Sequence, residues 1–203
     1  VCLRFRIDSD ETDQRYGWCV DDIMIVSVPL HERIYTESFE EDDGQFAAEG
    51  TRSTWEWGDC TARRNDHPEG RNYYPDGAAD GEKVWGTDLD NVHAHLEDST
   101  LTSPLISMPE EHNGRDLLVS WDQYLMLNEA AFTVELKTGE QPWRVLFESE
   151  KSYIGRQWEW TYAVLPCEEV GDTIQLRFHL HALDEWYVHG GAYVDDLQVC
   201  VVP

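Results

Sequence analysis

Basic residues are scarce in this chain. Fifteen Lys and Arg stand against 41 Asp and Glu, a formal net charge of −26 with histidine neutral. A nucleic-acid backbone is repelled by such a protein, and no Lys/Arg cluster supplies a local footprint, so nucleic acid is excluded as a partner and an anionic lipid surface is disfavoured. Long apolar runs are missing too, so nothing is fit to insert into a bilayer as a helix. Enzyme signatures are absent: there is no GxSxG, no HExxH and no P-loop. Carboxylates are numerous enough that pairs arise by chance, and none is singled out for glycoside chemistry. Cysteine is sparse, at Cys2, Cys19, Cys60, Cys167 and Cys200, with no CxxC pair and no zinc-finger spacing. An initiator Met and a signal peptide are lacking, and Val1-Cys2-Leu3 reads as the start of a piece of a longer chain or of a processed product.

What is present supports a packed domain. Of the 203 residues, 41% are hydrophobic and 12% aromatic, too many for disorder despite the charge. Such a surface attracts cations. Most of the charge is spread along the chain and reads as a solvated, halophile-like face; Glu40-Glu41-Asp42-Asp43 is a local cluster where a cation relieves repulsion.

Self-similarity organises the chain. Leu3-Arg4-Phe5-Arg6, a loop, and Gly17-Trp18-Cys19-Val20-Asp21-Asp22-Ile23 ending at Pro29 match Leu176-Arg177-Phe178-His179, a loop, and Gly191-Ala192-Tyr193-Val194-Asp195-Asp196-Leu197 ending at Pro203. Residues 1–29 therefore read as the C-terminal strand pair of a preceding similar module, or as extra strands packed on the next one, and 30–203 as a complete module. Segments 34–39, 117–127, 132–137, 143–147, 158–164 and 173–180 are rich in β-branched and aromatic residues and bounded by turn formers, which predicts strands. The polar stretch from Asp59 to Asp90 predicts a long surface loop. The expected class is all-β, an antiparallel β-sandwich of the jelly-roll type.

Phe39-Glu40-Glu41-Asp42-Asp43-Gly44, Trp55-Glu56-Trp57-Gly58, Val84-Trp85-Gly86-Thr87-Asp88-Leu89, Leu101-Thr102-Ser103-Pro104-Leu105-Ile106 and Tyr193-Val194-Asp195-Asp196-Leu197 occur in that order. This series resembles the MAM-like jelly-roll modules of secreted bacterial peptidases of the immune-inhibitor-A type, and the cleaved-adhesin domains of secreted cysteine proteases. The resemblance implies a non-catalytic accessory module of an extracellular, secreted or cell-surface protein, often calcium-stabilised, working in adhesion or substrate engagement.

Side-chain alternation puts Tyr193, Asp195, Leu197 and Val199 on one strand face. A carboxylate on that apolar face is costly unless a cation or an arginine meets it. Calcium suits it, with Glu40 as first partner and Asp42 or Asp88 next; Asp21 inherits the argument. The plain alternative is a salt bridge from Asp195 to Arg177, or a turn-capping role. Two His-x-His pairs, His93/His95 and His179/His181, project from one face if they lie on strands, a geometry that chelates transition metals; the favoured reading is surface histidines offsetting acidic charge. Paired tryptophans Trp55/Trp57 read as core. Trp158, Trp160, Tyr73, Tyr74, Trp186 and Tyr187 are the candidates for stacking on a ligand such as a glycan.

The expected function is adhesion or assembly, with neighbouring modules or further copies as partners in a fibre-like array. The alternative is a carbohydrate-binding module of a polysaccharide-degrading enzyme. A hydrolase stands well behind both.

Overall fold

Strict alternation along Phe132-Thr133-Val134-Glu135-Leu136 puts phenylalanine, valine and leucine on one side and polar side chains on the other, the pattern of a strand with one wet face. The same logic repeats through the molecule. The structure, a computed structural model, describes residues 33–60, 74–75, 77–89, 93–109, 114–155, 157–183 and 190–202. The proposed strand pair at 1–29 lies outside these residues.

Among the described residues twelve strands run as β1 (Arg33–Glu37), β2 (Ala47–Thr51), β3 (Trp55–Asp59), β4 (Lys83–Thr87), β5 (Asp98–Thr102), β6 (Ile106–Ser107), β7 (Leu117–Met126), β8 (Ala130–Thr138), β9 (Arg144–Glu148), β10 (Glu159–Leu165), β11 (Thr173–Ala182) and β12 (Gly191–Val201). They form two antiparallel sheets. Sheet A has the order β10-β7-β12-β4-β3, with β1 pairing along β12 beyond β4; sheet B has the order β2-β5-β11-β8-β9, with β6 on the end of β11. The fold is an antiparallel jelly-roll β-sandwich, as the sequence pattern predicts.

The main core lies between the sheets. Val119, Trp121 and Leu125 of β7 meet Phe132, Val134 and Leu136 of β8 and Leu176, Phe178 and Leu180 of β11, all buried. Phe132 stacks on Phe178 at 6.3 Å, and Trp121 sets its edge against both Phe147 and Phe178. Burial of a side chain of this size stabilises by about 1.5–3 kcal/mol. Trp55, and in part Trp57, belong to this core, as expected.

A second, smaller cluster sits on the outer side of sheet A: Val84, Tyr124, Met126, Tyr193 and Cys60, with Tyr74, Ala78, Leu89 and Trp158 packed against it. Strands β7 and β12 are consequently buried on both faces over much of their length. The expectation of an unbroken loop from Asp59 to Asp90 fails at β4. Lys83-Val84-Trp85-Gly86-Thr87 is too short and glycine-interrupted to announce a strand, yet it adds to the middle of sheet A with Val84 and Trp85 buried. Gly86 is required there, because a Cβ would stand 2.5 Å from the Tyr193 ring.

Candidate functional site

The V-D-D strand carries a β-bulge. Its register against β7 shifts between Asp195 and Gln198, and Asp196 takes a left-handed backbone with φ of 46°. The extra residue changes the parity of the strand. Ala192 and Val194 face the inter-sheet core before the bulge, and Leu197, Val199 and Val201 face it after. Tyr193 points the other way, into the outer cluster. The expectation that Tyr193, Asp195, Leu197 and Val199 share a face is thereby corrected: alternation is interrupted where one residue is inserted.

Asp195 is fully buried and turns toward the loop that follows Gly77. Its Oδ2 accepts hydrogen bonds from the backbone N–H of Ala79 at 3.0 Å and of Asp80 at 3.3 Å, and its Oδ1 from the N–H of Asp196 at 2.8 Å. Arg177 is not its partner. That guanidinium pairs with Glu135 across sheet B at 2.6 Å. Glu40, just beyond β1, grips the other end of the same loop: its Oε1 accepts from the N–H groups of Glu82 and Lys83 at 2.9 and 2.8 Å, while Lys83 Nζ donates to the Glu40 carbonyl. The pairing of β1 with β12 brings Glu40 there, the first partner expected for Asp195. Gly81, with φ of +69°, lies so close that a Cβ would stand 2.2 Å from the Glu40 carboxyl carbon.

Like charges accumulate at this spot. Burial, and next the neighbouring Asp196, push the Asp195 carboxyl up to about 7, against the opposing pull of its three N–H donors. Asp122, opposite Asp195 on β7, is pushed up to about 6 by burial and Asp196. Asp196 is itself raised by burial and by Asp80 and Glu40. The groups gathered here are all carboxylates, the oxygen type that calcium takes, but among the described residues no three of them bring ligand atoms within 4.8 Å of one another. Asp42 stands nearby: its Oδ1 accepts from the Gly44 N–H at 2.8 Å, and it lines with Asp196, Glu37 and Glu41 a polar cleft of about 440 Å³. Asp88 lies apart, its N–H bonded to the Thr54 carbonyl, and after burial its charge is the next cause that raises the Tyr74 phenol.

The aromatic candidates separate. Trp158 is half-buried in the outer cluster, donates to the Gly77 carbonyl at 2.8 Å and sets its edge against Tyr124. Tyr74 is packed into the same cluster. Trp160 is 45% exposed and stacks on Tyr162 at 5.0 Å. Tyr73, Trp186 and Tyr187 lie outside the described residues.

A cleft that the sequence did not announce runs over the outer face of sheet B. It holds about 400 Å³ and is lined by Trp143, Arg177, Gln175, Gln45, Glu49 and Thr100, among others. The Arg177 guanidinium lies 4.3 Å from the centre of the Trp143 ring, and Gln175 donates to the Ser103 carbonyl. The signal for this cleft was the alternation of β11 itself, whose outward residues are Thr173, Gln175, Arg177, His179 and His181. The first His-x-His pair does not lie on a strand: His93 is buried in a turn with Nδ1 3.0 Å from the Ala94 carbonyl, and His95 is exposed. The second lies on β11, and there His179 Nε2 is 2.6 Å from Asp98 of β5.

No protein-family model matches the chain. It is 29% identical over 201 residues to Bacillopeptidase F of Bacillus subtilis (strain 168), covering 94% of this chain but only 13% of that relative's length. Among solved structures it is similar to TmCBM61, determined in complex with β-1,4-galactotriose, with a TM-score of 0.53, 11% identity and coverage of 81% of this chain and 94% of that one. A weaker likeness, at a TM-score of 0.47 and 13% identity, is to the K2 cleaved adhesin domain of Lys-gingipain, covering 83% and 97% of the two chains. Among the described residues no helix is long and apolar enough to cross a membrane. The chain is a jelly-roll module similar to one segment of a much longer peptidase.

Proposed function

We propose that this chain is a non-catalytic binding module of a longer, multimodular protein of the extracellular space, and that it engages a glycan in the cleft over sheet B. The observation that carries the reading is the composition of that cleft. Trp143 supplies an apolar wall, while Arg177, Gln175, Gln45, Glu49 and Thr100 supply donors and acceptors on a rigid sheet. Sugar recognition combines an aromatic surface for the C–H faces with a few placed polar groups for the hydroxyls. Likeness to TmCBM61 and to a segment of Bacillopeptidase F supports an appended module of this kind. Titration with a panel of soluble oligosaccharides and polysaccharides, read by tryptophan fluorescence, is expected to give a saturable shift that Trp143→Ala abolishes. Flat titrations across the panel refute glycan recognition.

Adhesion or assembly with a neighbouring module, in the manner of the MAM-like and cleaved-adhesin modules, is the second reading. It is favoured by β10, which lies at the edge of sheet A and exposes Trp160, Tyr162 and Val164 in one row. An exposed apolar edge strand is a template for another chain. Sedimentation of the chain over a range of concentrations, compared with a Trp160→Lys/Tyr162→Lys variant, distinguishes the two readings. Assembly predicts a concentration-dependent rise in mass that the variant loses.

Calcium belongs to both. In this proposal Asp195 and Glu40, with Asp80 and Asp196 beside them and Asp42 farther out, hold the ion and thereby fix the loop from Gly77 to Lys83, while Asp88, which lies apart, takes no share. The ion neutralises carboxylates that otherwise repel one another. The melting temperature is expected to fall on adding EDTA and to recover with excess calcium; an unchanged melt refutes the site.

A further inference from the structure

We propose that Asp98, His179 and His181 form a binding site for a borderline divalent transition ion, of the zinc, copper or nickel class, on the outer face of sheet B. His179 and His181 are two residues apart on β11, so both imidazoles stand on that face. The register of β5 sets Asp98 directly across from His181, while His179 faces Thr100. Asp98 Oδ1 consequently sits between the two rings, 2.6 Å from His179 Nε2 and 3.5 Å from His181 Nδ1. One donor atom from each residue lies within 4.8 Å of the other two. The ring centres are 6.2 Å apart and tilted by 56°, so the rings converge without stacking.

These spacings are close to those of a bound ion. With metal–nitrogen and metal–oxygen distances of about 2.0–2.2 Å, ligand atoms in a tetrahedral shell stand roughly 3.3–3.5 Å apart. The His181–Asp98 separation already has that value. The His179–Asp98 separation must widen by under about 1 Å, which rotation of the half-exposed Asp98 side chain supplies. The backbone need not move, because β11 is hydrogen-bonded along this stretch to β5 on one side and β8 on the other. The cross-strand neighbours Thr100, Thr133 and Ala131 are small and leave room above the rings.

The donor set decides the class of ion. Two imidazoles and one carboxylate favour zinc, copper or nickel over calcium or magnesium, which prefer all-oxygen shells. Three protein ligands leave at least one coordination position for water, facing the solvent on the same side of the sheet as the Trp143 cleft. This site is independent of the glycan proposal and of the calcium proposal, which concerns sheet A.

The test is titration of the full chain with Zn²⁺ against a chromophoric chelator, alongside Cu²⁺ electron paramagnetic resonance. Wild type is expected to bind an ion with micromolar affinity, Asp98→Asn and His179→Gln to weaken it by about tenfold or more, and His181→Gln to reduce the copper spectrum from two coordinated nitrogens to one. All three side chains are on the surface, so melting temperatures in the absence of metal should stay near wild type; any one variant that folds suffices for the comparison. Absence of binding tighter than millimolar, or binding that the substitutions leave unchanged, overturns the proposal. Unchanged binding would assign the affinity to other histidines of the chain.

Discussion

The two outer faces of the sandwich handle acidic residues in opposite ways. On sheet B two carboxylates meet basic side chains: Glu135 meets Arg177, and Asp98 meets His179. On sheet A, Asp122, Asp195 and Asp196 meet one another, and the stabilising contacts to Asp195 come from backbone N–H groups of a loop. A carboxylate with a cationic partner is satisfied locally. One buried among other carboxylates, with N–H dipoles as its only partners, has its ionised form disfavoured. Net charge alone does not distinguish these situations; placement does.

The largest effect is expected from Asp195→Ala, which leaves the N–H groups of Ala79, Asp80 and Asp196 without their acceptor. At about 1–3 kcal/mol per buried unsatisfied group, with partial rescue by water, the loss should reach about 3 kcal/mol, or roughly 6–12 °C in a thermal melt. The same variant should lose its response to EDTA. A melt within about 2 °C of wild type (about 1 kcal/mol or less) would mean that the loop is held by something else.

Next in size is the dependence on pH. Asp195 and Asp122 have folded-state values above their unfolded ones, so the stability they contribute is fully present below about pH 4 and is lost as pH rises through about 6 to 7. In chelator, these two groups should lower stability by at most a few kcal/mol between about pH 4 and pH 7.5; saturating calcium should flatten that slope. Urea midpoints across the range measure it. A slope that calcium leaves untouched would separate the raised carboxyls from any ion.

Gly81→Ala should cost about 1–2 kcal/mol, through a left-handed backbone and a collision with Glu40. The smallest change is expected on sheet B. Glu135→Gln removes the charged partner of Arg177 at a partly exposed site and should cost under about 1 kcal/mol, while altering affinity in the Trp143 cleft more than stability. If it destabilised as much as Asp195→Ala, the contrast between the faces would be wrong.

Much of the fold could be read from the sequence because β8 and β11 alternate cleanly and the other long strands are strongly apolar. Segments 117–127, 132–137 and 173–180 are rich in apolar, β-branched and aromatic residues, and they became β7, β8 and β11. The short strands were not legible. Ala47–Thr51 is exposed throughout and has no apolar stripe, and Lys83–Thr87 owes its place to pairing with β3 and β12. Asp195 stood out from its conflict with apolar neighbours, but its orientation did not, since a bulge inverts parity without altering composition. Asp98 and Trp143 escaped for a different reason. Asp98 lies 81 residues before His179, and Trp143 is likewise far along the chain from Arg177; register across strands joins them, and no local pattern records such neighbours.

One feature of the topology bears on how the molecule comes to be folded. Strand β12 is the last of the described strands in chain order, yet it lies in the interior of sheet A, bonded to β7 on one side and to β1 and β4 on the other. During synthesis β1, β3, β4, β7 and β10 all emerge before the strand that joins them. Until residues 191–201 leave the ribosome, β7 lacks its central neighbour and β1 has no strand to pair with among the described residues, so this half of the sandwich waits with open edges. Closure then requires Arg33 of β1 to meet Cys200, distant in sequence, a high-contact-order step of the kind that makes β-sandwiches slow to fold. A ribosome-stalled chain ending before Gly191 should therefore remain protease-sensitive, and protection should appear in one step once β12 is free.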